Sequence, residues 1–208
     1  MAICDWTIAT GGSAMVKAAY SSGKPAYGVG AGNATMLIDE TANIEEAARN
    51  TRLSKTSDFG SGCSADGNLV VETSIYDRFL EQLQREHGYL VTESEKQRLQ
   101  AALWDAEGHR TSDTIARPAH QIADIAGFNL PEGKKFLIVE ENRIGREHLF
   151  SSEKLSPVLA IFRYDGFQNA LEMVKEIYEV GGKGTPAAST HSTMIIFINW
   201  RSRPRSAE

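Results

Sequence analysis

The chain has 208 residues, room for one large domain or one and a half of ordinary size. Hydrophobic residues make up 41%, charged residues 24%, and the net charge is -5, which suits a globular α/β protein and argues against a nucleic-acid partner, whose phosphates need a basic face. No apolar run reaches the roughly 20 residues of a membrane helix, Met1–Trp6 lacks the basic start and apolar core of a signal peptide, and Cys4 and Cys63 stand at a spacing that makes neither a disulfide framework nor a zinc site. A cytoplasmic chain with reduced thiols is the simplest expectation.

In chain order, Ile3–Ala9 reads as a short buried strand that places Cys4 in the core. It runs through Thr10-Gly11-Gly12 into a helix over Ser13–Ser22, which Gly23-Lys24-Pro25 breaks. Gly28–Asn33 is a glycine-rich turn, followed by a strand over Ala34–Asp39. Asn43 is a good N-cap for a helix to about Ser54, with Glu45 and Glu46 favourable in its first turn. A small-residue loop holding Cys63 leads to a strand over Asn68–Glu72 and an amphipathic helix over Ile75–Glu86. Helices are expected at Glu93–Glu107 and Ala119–Ala126, strands at Phe136–Glu140 and Val158–Arg163, and a helix at Phe167–Val180. This alternation predicts an α/β fold, an open and largely parallel sheet with covering helices.

After Gly184 the chain changes character. It is small and polar to Thr193, apolar over Met194–Trp200 and basic over Arg201–Arg205. Together with an abrupt start at a strand, this reads as a piece of a longer protein.

Two features suggest chemistry. A strand-Gly-Gly-helix junction such as Ala9–Gly12 lets a ligand approach the backbone at a helix N-terminus, or simply turns the chain. Gly28–Asn33 partly resembles a dinucleotide fingerprint without matching its spacing. Cys63 lies in Phe59-Gly60-Ser61-Gly62-Cys63-Ser64-Ala65-Asp66-Gly67. Glycines on either side leave room for a substrate, and nearby N–H dipoles favour a thiolate. On these residues alone, acting as a small buried hydrophobe is the more usual role of a lone cysteine. His87, His109, His120 and His148 are scattered, and no metal site is assigned.

Four segments in order carry a resemblance. They are Ala9-Thr10-Gly11-Gly12 with Met15–Pro25, Gly28-Val29-Gly30-Ala31-Gly32-Asn33, Ser54–Ser64 around Cys63, and Glu153-Lys154-Leu155-Ser156-Pro157-Val158. Together they resemble the coenzyme-A-acylating branch of the aldehyde dehydrogenase superfamily over about residues 3–184. The wording around Tyr27-Gly28, Ser57–Asn68 and Ile177–Gly184 is most similar to acylating sulfoacetaldehyde dehydrogenases. The acetaldehyde/alcohol dehydrogenases are less close.

The resemblance implies a catalytic Cys63 and a nicotinamide cofactor, NAD or NADP, at Thr10, Gly11, Gly12 and Gly28, with Glu153 at its ribose. Coenzyme A would be the co-substrate, a small aldehyde the partner, and homo-oligomers the state of full-length members. Hydrolytic relatives carry a Leu-Glu-Leu-Gly-Gly segment whose Glu activates water. Here Gly28, 35 residues before Cys63, stands in its place. Without that base, water is a poor acceptor and coenzyme A takes the acyl group.

The resemblance also divides the chain. Residues 1–33 would be the end of the cofactor-binding domain, 34–184 an incomplete catalytic domain, and 185–208 an aberrant tail. Lys183 and Gly184 match the family's Gly-Gly-x-Gly-His segment, but Thr185 stands where the histidine is expected. A one-base deletion after Gly184 accounts for this, so His191 is not a substitute. Two functional expectations stand, an acylating dehydrogenase and a catalytically inactive remnant of one, with poor solubility where further parts would pack.

Overall fold

The computed structural model describes residues 3–182, 187–190 and 195–198. Two sheets organise them. β1 (Thr7–Thr10) and β2 (Ala26–Val29) pair in parallel, Thr7 opposite Ala26 and Thr10 opposite Val29, with α1 (Ser13–Tyr20) as the crossover. The second sheet contains β3 (Thr35–Ile38), β4 (Asn68–Glu72), β5 (Gly88–Leu90), β6 (Phe136–Glu141), β7 (Val158–Tyr164), β8 (Ala187–Thr190) and β9 (Ile195–Ile198). Its order is β5-β6-β7-β4-β3-β8-β9, parallel throughout except between β8 and β9. The fold class expected from the sequence is the one observed.

β3, β4, β6 and β7 are buried on both faces because they are apolar at consecutive positions, the mark of a helix-covered parallel sheet. Alternate residues point to opposite sides. Leu69 and Val71 of β4, with Leu159 and Ile161 of β7, meet α2 (Ile44–Thr56) and α3 (Tyr76–Arg85). Val70, Ala160 and Phe162 meet α4 (Glu93–Leu103), α5 (Ala119–Ile125) and α6 (Phe167–Gly181). Asn43 caps α2 by accepting from the Glu46 N–H at 3.0 Å, and Thr92 with Glu95 forms a capping box on α4. No helix among the described residues is long and apolar enough to cross a membrane.

The structure departs from the sequence expectations in four places. β1 starts at Thr7, so Cys4 precedes the strand and is exposed, not core. Gly28 lies inside β2 and not in a turn. A Cβ there would meet Val16 and Tyr20 of α1 at 2.5 and 2.7 Å, so the glycine serves close helix–strand packing. The helix expected over 93–107 stops at Leu103, where Trp104 turns extended and bridges Arg110. β5 was not expected. His87 takes a left-handed φ of 70° after α3, and Gly88 fits between Leu83 and Ile138 only without a side chain. Within the stretch expected to be an aberrant tail, Ala187–Thr190 and Ile195–Ile198 are strands. Lys183, Gly184, Thr185 and His191 lie outside the described residues.

Candidate active site

Cys63 sits between the end of α2 and the start of β4. After Thr56 the backbone passes through a tight turn in which Asp58, Phe59 and Gly60 have φ of 45°, 53° and 66°. Three successive left-handed residues, two with side chains, are costly, at about 1–2 kcal/mol for each non-glycine. Such strain persists only where the surroundings enforce it. Here Ser61 donates to the Asp58 carbonyl through both N–H (3.1 Å) and Oγ (2.8 Å). A Cβ on Gly60 would lie 2.7 Å from the Ser156 carbonyl oxygen and 3.1 Å from Lys55 Nζ. Gly62, by contrast, has open space at its Cβ position, and the Cys63 that follows is exposed. The loop is thus pinned at Gly60 and open at Cys63.

The contact with Ser156 joins this loop to the Glu153–Pro157 segment. β4 and β7 are paired neighbours, so the Cys63 loop and this segment enter the sheet side by side at the N-terminal ends of their strands. Glu153 is half-buried and accepts from Arg110 Nη1 at 3.2 Å, while its carbonyl takes the same nitrogen at 2.9 Å. Leu155 is left-handed (φ 44°), and its carbonyl accepts from the N–H of Ala116, itself left-handed at 53°.

Beneath the two segments lies a buried polar network that the sequence reading did not find. Asn33 donates to the Ser151 and Ile177 carbonyls and accepts from Asn68 Nδ2 at 2.7 Å. Lys154, 1% exposed, donates to the Phe150 and Ser152 carbonyls and to Asn68 Oδ1. These residues immediately precede β3, begin β4 and precede β7, so one edge of the sheet carries them all. Burial, then the neighbouring Lys55 charge, pushes the Lys154 ammonium well below its usual value.

Lys55 and Asp66 flank the Cys63 loop and are also buried. Burial lowers Lys55 to about 8 against the pull of Asp66, and raises Asp66 to about 6 against the pull of Lys55 and a Ser54 hydrogen bond. Lys55 follows Ile44, Ala47, Ala48 and Thr51 along the buried stripe of α2. That spacing was the one available signal in the sequence.

Thr10, Gly11 and Gly12 lie where β1 enters α1. Gly12 caps the helix without a side-chain hydrogen bond and has open space at its Cβ position, leaving the first N–H groups accessible. Gly28 is in the partner strand, its N–H donating to Tyr20 OH at 3.0 Å. The expected residues therefore fall into two groups. The segments that carry Cys63 and Glu153 touch at Gly60 and Ser156, while Thr10, Gly11, Gly12 and Gly28 belong to the small β1-β2 sheet and its junction with α1. A groove of about 680 Å³ beside Trp104 and Arg146 contains none of them. Among the described residues, no cluster of three or more His, Cys, Asp or Glu side chains is placed to hold a metal.

Residues 8–132 match the model of the aldehyde dehydrogenase family, more than half of the chain. The chain belongs to the aldehyde dehydrogenase family. It is 42% identical over 177 residues to the bifunctional aldehyde-alcohol dehydrogenase AdhE of Escherichia coli (strain K12), covering 85% of this chain and 20% of that protein. It is 39% identical over 191 residues to the sulfoacetaldehyde dehydrogenase (acylating) of Cupriavidus necator, covering 91% and 38%. A solved acetylating aldehyde dehydrogenase from Geobacillus thermoglucosidasius superposes with a TM-score of 0.86 at 39% identity, covering 90% of this chain and 41% of that one. The chain thus spans about a fifth to two fifths of the length of these family members.

Proposed function

We propose that this chain carries the nucleophile-bearing part of a coenzyme-A-acylating aldehyde dehydrogenase, with Cys63 as the nucleophile. One observation carries the choice of acceptor. The position where a water-activating carboxylate would stand is Gly28, and Val16 and Tyr20 fill the space its side chain would need. Similarity to proteins named acylating and acetylating supports the same choice.

The chemistry follows from the loop. The Cys63 thiolate adds to the aldehyde carbonyl and forms a thiohemiacetal. NAD or NADP, when bound, supplies the hydride acceptor that leaves a thioester on the cysteine. The junction at Thr10, Gly11 and Gly12 would hold such a group at Gly12, where the Cβ position is open, while Met15 packs against Gly11. Glu153, held by Arg110, is the carboxylate assigned to its ribose. The coenzyme A thiolate then attacks the thioester, the acyl group moves to coenzyme A, and the Cys63 thiolate is restored. Gly60, tied under the Ser156 carbonyl, holds the nucleophile loop through both steps.

Sulfoacetaldehyde is the substrate we assign, on the similarity to enzymes that bear its name; acetaldehyde is the alternative. The test is NAD(P)H formation by the 208-residue chain with each aldehyde and coenzyme A. Turnover that needs coenzyme A and falls at least a thousandfold in Cys63→Ala is the expected result. A folded chain that turns over neither aldehyde would establish the inactive remnant instead.

A further inference from the structure

Two lysines are buried at the N-terminal edge of the large sheet, and their ammonium groups are met differently. Lys154 gives its protons to three protein oxygens. Lys55 makes no hydrogen bond or close ion pair to any described residue, and Asp66 acts on it only at longer range. It borders a cavity of about 190 Å³ instead, walled by Phe59 and Pro157 and also lined by Lys134, Lys135 and His120. No carboxylate lines this cavity. Lys134 spends two of its protons on the Gln84 and Gly88 carbonyls, while Lys135 and His120 are exposed.

A buried cation is tolerated only when its lost hydration is replaced. Protein oxygens supply that replacement at Lys154, whereas the Lys55 ammonium, which is not among the buried unpartnered atoms, borders the cavity. With Lys55, Lys134, Lys135 and His120 around it and an apolar wall, the cavity favours a small oxyanion over a nucleotide or an apolar ligand. The position also matters. Lys55 Nζ lies 3.1 Å from where a Gly60 Cβ would stand, and Gly60 is three residues from Cys63.

We propose that the Lys55 cavity is a subsite for a sulfonate-sized oxyanion, with Lys135 and His120 adding positive charge on its solvent side. Its occupant is the sulfonate of a short anionic aldehyde. That identity rests on the acylating-dehydrogenase reading; the subsite itself does not. A cofactor phosphate offers the same chemistry, and the test separates the two.

The ε-methylene signal of Lys55 is followed by NMR in the ¹³C-lysine-labelled 208-residue chain and assigned by its loss in Lys55→Arg. The pH titration is repeated with methanesulfonate, with inorganic phosphate and with chloride at matched ionic strength. Methanesulfonate is expected to move the midpoint upward from about 8 by about one pH unit, as a close opposite charge does. Phosphate should move it less, and chloride not at all. A larger response to phosphate overturns the sulfonate assignment. No response to either anion overturns the subsite. The same titration on Cys63→Ala reads the subsite without any turnover, so failure of the dehydrogenase reading leaves it interpretable.

Discussion

Lys55 and Lys154 are equally buried and both have their pKa lowered by burial, but of the two only Lys154 donates hydrogen bonds to oxygens of described residues. Lys55 titrates at about 8 in the folded chain against 10.5 for an ordinary lysine, so the folded state holds its proton less tightly than the unfolded chain. Its contribution to stability is present above pH 10.5 and is lost as the pH falls towards 8. At neutral pH the buried charge costs about 3 kcal/mol. Lys55→Met should therefore raise the Tm at pH 7, with the gain closing as the pH approaches 10.5. Thermal melts across that range check it, and a methionine variant less stable at pH 7 would refute it. Lys154 is lowered in the same direction, so its buried charge has the same sign of cost, but Lys154→Met adds an opposing loss and should gain less than Lys55→Met. It orphans the Phe150 and Ser152 carbonyls and Asn68 Oδ1 in the interior, which costs about 2–3 kcal/mol. The glycines of the cysteine loop separate in the same way. Gly60→Ala should destabilise by about 1–3 kcal/mol, because its φ is positive and its Cβ would press on the Ser156 carbonyl. Gly62→Ala, with open space, should stay within about 0.5 kcal/mol. Denaturant midpoints of the two variants give the comparison, and equal losses would refute the pinning role of Gly60.

At the scale of elements, the helices and strands between residues 34 and 181 were legible because each announces its period. Ile44, Ala47, Ala48 and Thr51 mark one face of α2, and β4, β6 and β7 are short apolar runs between turn residues. β5 was not legible. Three residues starting at a glycine give no alternation to read, and the strand exists because Gly88 alone fits against Ile138. Gly28 misled for a related reason, since a glycine that permits packing and one that permits a turn look alike in sequence. In the site, Cys63 and Glu153 were visible because local motifs surround them. Asn33, Asn68, Lys154 and Asp66 were not, because their roles depend on strands from distant parts of the chain arriving at one edge. Their side chains are informative only once buried, and burial is settled by β3, β4 and β7 lying next to one another.

Across the whole molecule, the two sheets differ in how completely they are covered. The large one has helices on both faces. The small one has α1 on one side, while Ile8, Tyr27 and Val29 project from the other, 77%, 62% and 41% exposed, with Trp6 packed against Tyr27. Parallel strands are normally buried on both faces, and contiguous apolar area of this kind favours association. The double variant Ile8→Lys with Val29→Lys should therefore lower the apparent mass of the chain in size-exclusion chromatography at equal concentration. An unchanged elution volume would show that this face does not drive self-association.

The one-edged placement of the cysteine loop and its buried network leaves the other end of the strands free for manipulation. Chain reversals such as Thr73–Ile75 lie beyond the C-terminal end of β4, about 17 Å from its first residue at strand rise. A dye or immobilisation tag attached at Ser74, which is exposed, would sit at the opposite end of β4 from Cys63, so this chain can be tethered or labelled there with its thiol still open to solution.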